Sequence, residues 1–154
     1  MNYIKNIRKK IGHDPLFAPA AGCIIIKDNK ILLQKRADDN TWALHGGYLE
    51  LEETFYEAME RKVKEEINVK PINPELLNIY SGKDVHDIYP NGDEVYGIVA
   101  IYIAYDYEGT LEFNTTEVME LKWFDINNLP KDIHSIDKKP IEEAILLYNK
   151  NQNF

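Results

Sequence analysis

Apolar positions along the chain change their spacing several times, and each change marks an element. In residues 2–11, Ile4, Ile7 and Ile11 recur at helical spacing opposite Lys5, Arg8, Lys9 and Lys10, with Gly12 as a stop. This predicts a short amphipathic helix, packed either on the domain or on a second subunit. Asp14-Pro15 then breaks into extended chain. The apolar runs 20–27 and 30–35 read as strands joined by Asp28-Asn29, a two-residue hairpin turn. Helical spacing returns over 54–67, closed by Asn68, and 76–81 reads as another strand. Residues 95–107 are apolar on both faces, which places that strand centrally in a sheet covered on both sides. Two covered faces need helices. The helix at 54–67 and a closing one at 140–149, with Ile141, Ala144, Ile145 and Tyr148 inward, can supply them.

Bulk properties narrow the class. The 154 residues suit one domain, 1–154, able to bury roughly two thirds of its unfolded surface. A net charge of -8 and a pI near 5.0 argue against a nucleic-acid backbone or an anionic membrane as partner. Cys23 is the one cysteine, so neither a disulfide framework nor a cysteine zinc site can form, and an inert core thiol is expected. No stretch approaches the ~20 apolar residues of a membrane span, and the first residues lack a signal-peptide run, so a cytoplasmic location is expected.

Candidate chemistry concentrates where Gly46-Gly47 delivers the chain into the helix at 54–67. That helix carries Glu57, Glu60, Glu65 and Glu66 with Arg61, Lys62 and Lys64. Positions 62, 65 and 66 share a face, and Glu57, Arg61 and Glu65 form an overlapping row. Two readings stay open on spacing alone. Glu57 with Arg61, Glu60 with Lys64 and Lys62 with Glu66 could be ordinary surface ion pairs. Alternatively, adjacent glutamates in a cleft hold a hard divalent cation, as phosphate chemistry employs. Phosphate-binding P-loops, dinucleotide glycine fingerprints, His-Glu-x-x-His helices and nucleophile elbows are absent from the sequence.

The spacing of Gly47, Glu53, Arg61, Val63, Glu65, Glu66 and Val69 resembles the Nudix box, and Trp42 to Gly47 resembles the strand end that leads into it. The resemblance implies an α/β fold, a Nudix-type α/β/α sandwich around a mixed β-sheet. It further implies metal-dependent hydrolysis of the diphosphate linkage in a nucleoside diphosphate derivative. Magnesium or manganese would be held by Glu65, Glu66 and the Gly46 carbonyl. Arg61 would be oriented by Glu53, and Glu66 or Glu117 would act as base, Glu117 matching a late-loop glutamate of the family. Arg36, at a strand end, is a candidate phosphate contact. In the loop 82–94, Tyr89 is a candidate for stacking on a base, and His86 or Asp87 for binding its edge; a plain hairpin is the other reading there.

Three positions depart from the family pattern. Lys62 stands where a metal-binding glutamate is usual, Asn68 replaces a glycine, and His45 replaces a proline. Lys62 must turn to solvent, bind a substrate phosphate or displace a metal. His45 either fills space or contacts phosphates. A small-molecule nucleotide substrate follows from the resemblance, and a homodimer is open. The alternative function is a catalytically weakened Nudix-fold nucleotide-binding or regulatory protein.

Overall fold

The computed structural model describes residues 2–113 and 115–152. Its spine is strand β1 (Leu16–Lys27), where successive side chains serve opposite faces of the sheet. Ile24 and Ile26 join one core, while Cys23 and Ile25 join another, all completely buried. The period of two thus divides a single apolar run between two cores.

After helix α1 (Tyr3–Ile11) and β1 come β2 (Lys30–Arg36), β3 (Trp42–Ala43), β4 (His45–Tyr48) and helix α2 (Phe55–Ile67). Then follow β5 (Lys70–Pro71), β6 (Glu75–Tyr80), β7 (His86–Ile88), β8 (Glu94–Ala104), β9 (Tyr107–Glu108), β10 (Val118–Asp125) and helix α3 (Lys138–Gln152). The main sheet runs β10-β2-β1-β8-β6, with β3 on β2, β4 on β1 and β7 on β8. Among the strand pairs of the described residues β1 and β8 alone are parallel, Leu16 opposite Val95 through Ile25 opposite Ala104. The sheet is therefore mixed, and β8 lies inside it, as its two apolar faces require.

Helix α2 covers one face through Ala58, Met59, Val63 and Ile67. Helix α3 covers the other through Ile141, Ala144 and Tyr148. This is the expected α/β/α arrangement. Helix α1 leaves Ile4, Ile7 and Ile11 only partly buried and is tied to the domain. Arg8 donates to the carbonyls of Glu94 (2.7 Å) and Asp14 (2.6 Å), and the Tyr3 amide donates to Glu50 (2.7 Å). The loop expected over 82–94 is a 3-10 turn followed by the β7–β8 hairpin. The strand expected at 95–107 ends at Ala104, and the short strands β3, β5 and β9 were not visible in the hydrophobic pattern.

Candidate active site

Strand β4 runs antiparallel to β1, with Gly46 opposite Gly22. A Cβ on Gly46 would stand 2.6 Å from the Gly22 Cα, and it would also strike the Ala21 carbonyl. These two backbones approach as only glycine allows. Gly47 faces α2, where an added Cβ would collide with the Lys62 Cε.

Helix α2 starts at a capping box: the Thr54 hydroxyl accepts from the Glu57 amide and Glu57 returns to the Thr54 amide, both at 3.1 Å. Glu57 is therefore used at the cap rather than in the expected pair with Arg61. Arg61 binds Glu53 through two hydrogen bonds, 2.6 and 2.9 Å, and donates to the Tyr48 carbonyl at 3.0 Å. Glu53 also accepts the Glu50 amide at 2.7 Å. This set ties the loop to the helix and fixes the course of the chain past Gly47. It depresses the Glu53 pKa, chiefly through the Arg61 bond.

One turn on, Glu66 is buried. Its Oε1 accepts from the Gly46 amide (3.0 Å) and from Gln34 Nε2 (2.9 Å). Burial pushes its pKa up to about 7, against the opposing influence of Gln34, Lys62 and the Gly46 amide, with nearby Glu117 adding to the rise. Glu65 is half-exposed and meets Arg61 at 3.2 Å. The Lys62 ammonium lies 3.4 Å from Glu65 and 3.8 Å from Glu66. It neither turns to solvent nor leaves room between the two acids.

This arrangement does not fit a preformed divalent centre. The space between Glu65 and Glu66 already holds a cation, and among the described residues no three His, Cys, Asp or Glu side chains converge on one point. Magnesium can make do with one or two protein carboxylates beside water and substrate oxygens, so the obstacle here is the Lys62 ammonium between the two acids.

These groups open onto a cleft of about 460 Å³ lined by Gly46, Gly47, Lys62, Glu66 and Glu117. Arg36, Asp87, Tyr89, His134 and Asp137 line it as well. Arg36 is held by Asp38 (2.8 and 2.6 Å), lies 3.1 Å from His134 Nε2 and sits 5.8 Å from the Tyr89 ring centre. The Tyr89 and Tyr48 hydroxyls are hydrogen-bonded to each other. Asp137 accepts the Leu44 amide at 3.0 Å, and burial raises its pKa.

Two expected substrate contacts are engaged with other partners. The His45 side chain is completely buried; its Nε2–H donates to the Leu32 carbonyl at 2.9 Å, so it fills space and offers nothing to a phosphate. His86 pairs with Glu94 at 2.6 Å and stacks on Tyr96 at 4.4 Å, in a shallow depression with Lys83, Asp84 and Lys139. Conversely, Gln34, Tyr48, His134 and Asp137 enter the site without having been singled out. A His and an Asp flanking the turn before Pro140 were the only hint in the sequence.

The NUDIX domain family model matches residues 16–144. An ADP-ribose pyrophosphatase of Methanocaldococcus jannaschii is 38% identical over 117 residues, 74% of this chain and 65% of that protein. A MutT-like protein of Streptomyces ambofaciens is 31% identical over 103 residues, covering 67% of this chain and 60% of its own. The chain thus spans somewhat under two thirds of the length of these relatives. Among solved structures, a MutT NUDIX hydrolase from Burkholderia pseudomallei superposes with a TM-score of 0.72 at 23% identity, over 84% of this chain and 98% of its own. The NUDIX domain of Shewanella oneidensis NrtR, complexed with ADP ribose, gives a TM-score of 0.72 at 18% identity, over 96% and 99%. At such identities the structural likeness speaks to the fold alone.

Proposed function

The chain belongs to the Nudix hydrolase family, and from that membership we propose that it binds a nucleoside diphosphate derivative in the cleft and hydrolyses its diphosphate linkage. The observation that carries this reading is the meeting of the double-glycine strand, the Lys62 ammonium and the buried Glu66 in the wall of the cleft. Water adds across the P–O–P bridge. Its oxygen bonds one phosphorus, the bridging oxygen leaves with the other, and the water proton passes to a carboxylate. Glu66, with a pKa near 7, suits that transfer at neutral pH, and Glu117 lines the same wall. Lys62 offsets phosphate charge, while Glu53, Arg61 and Glu65 hold α2 in place against the glycine strand. Arg36 and Tyr89 border the path of the rest of the substrate. Nudix hydrolases use divalent metal ions. Magnesium or manganese on Glu65, Glu66 and the Gly46 carbonyl is the family expectation, and in this chain the Lys62 ammonium would have to be displaced first.

ADP-ribose, named for the Methanocaldococcus relative, is the first compound to test, beside a nucleotide sugar and a dinucleoside polyphosphate. The full chain is incubated with each in EDTA, magnesium or manganese, and products are separated by ion-exchange chromatography. Two phosphomonoesters are expected from ADP-ribose or the nucleotide sugar, and two shorter nucleotides from the dinucleoside polyphosphate. The position of Lys62 favours a second reading, a cleft that binds the nucleotide and does not turn it over. Thermal stabilisation by these compounds without product would select that reading, and neither product nor stabilisation would overturn both. In Lys62→Glu three acids share one face, so its melting temperature should become magnesium-dependent. Indifference to magnesium would show that the lysine does not occupy the ion's place.

A further inference from the structure

The same cleft has an apolar stretch of wall with a carboxylate set in it. Val85, Val95, Val99, Ile101, Leu44 and Ile136 form the walls. Asp87 is positioned among them by the β7–β8 hairpin, opposite Val95. Its Oδ2 is buried and has no hydrogen-bond partner among the described residues. The nearest basic nitrogen to that oxygen is His134 Nε2 at 3.4 Å. That nitrogen also lies 3.1 Å from Arg36 Nη1, and a guanidinium can only donate. When Nε2 accepts from Arg36 it has no proton for Asp87, and the ring proton is on Nδ1, facing Thr41 and Asp39. His134, and Arg36 beyond it, hold the Asp87 carboxyl in its charged form, below the usual carboxylate range, and a charged carboxylate keeps acceptor sites that a ligand's N–H can use.

We propose that Asp87 reads an amino group on the base of the bound nucleotide, so that the cleft selects amine-bearing bases over bases carrying a carbonyl at the same position. Apolar walls suit the faces of a planar heterocycle, and a carboxylate at its edge accepts from an exocyclic amine and repels a carbonyl oxygen. The Tyr89 ring, with Arg36 near it, borders the same space. The inference rests on the nucleotide-binding reading above and assigns its base specificity.

Two ligand pairs exchange this amine for a carbonyl, ADP against IDP and CDP against UDP, and in each the adjacent ring nitrogen gains an N–H. Calorimetric titration of the full chain is expected to show the amine-bearing member of each pair binding about tenfold or more tightly. In Asp87→Asn, whose amide can turn its NH₂ toward a carbonyl, both ratios should fall toward one, with a melting curve confirming the fold. Equal affinities within both pairs in the wild-type chain would overturn the assignment to Asp87 and leave the nucleotide cleft standing. If none of the four diphosphates binds, the nucleotide reading fails, and this one with it.

Discussion

His45 sets an acid limit on the folded state. Burial of its ring pushes its pKa down to about 4, from an ordinary value near 6.5. The unfolded chain takes up a proton near pH 6.5 that the folded chain refuses until about pH 4. The stability is therefore fully present above 6.5 and is lost progressively as the pH falls through that window, by up to about 3 kcal/mol. Urea denaturation at pH 7 and pH 4.5 should show a loss that is smaller by about that amount in His45→Gln. The sequence displayed the departure at this position but not which way the ring would turn. That was decided by the Leu32 carbonyl, thirteen residues earlier in the chain. Lys62 was legible in the same partial way: its identity announced a charge reversal, and only the packing of its stem against Gly47 shows where the ammonium goes.

Elements whose ends are set by local chemistry were the most legible. Helix α2 begins after Thr54 and stops at Asn68, which adopts φ 65°, ψ 25° in the left-handed region and whose side-chain Nδ2 donates to the Thr110 carbonyl at 3.0 Å. Replacing Thr54 by Ala should lower stability by about 1 kcal/mol through the exposed Glu57 amide, and Asn68→Ala by about 1–2 kcal/mol through backbone strain. Asn68→Gly should cost much less. Equal losses for Ala and Gly at position 68, read from chemical denaturation, would show that the side-chain bond matters more than the backbone. Strand β7 was hidden for the opposite reason, because a period of two cannot be recognised over three residues. Neighbours on a strand face opposite ways, so the choice between His86 and Asp87 as the residue in the cleft depended on knowing that a strand was there. Asp87 took the cleft, and His86 went to Tyr96. The pairing of Asp87 with His134 brings together distant parts of the chain and left no local trace.

At the scale of the molecule, the two-faced sheet was readable from β1 and β8, because strands buried on both sides cannot alternate with polar residues. Cys23 sits completely buried on that spine, and burial holds its thiol well above the usual range. A thiol reagent should thus label the native chain only as fast as the whole domain opens, with a rate that climbs steeply in urea. Fast labelling in buffer would mean that the α2 face loosens by itself. The parallel seam joining residues 16–25 to 95–104 bears on synthesis as well. A ribosome that has released only the first half of the polypeptide has made β1 without the neighbour that will flank it, and the newborn segment carries an unguarded row of amides and carbonyls until Ala104 emerges. Assembly must wait on that late arrival, so a pause in translation before it would extend the interval in which nascent chains can stick to one another.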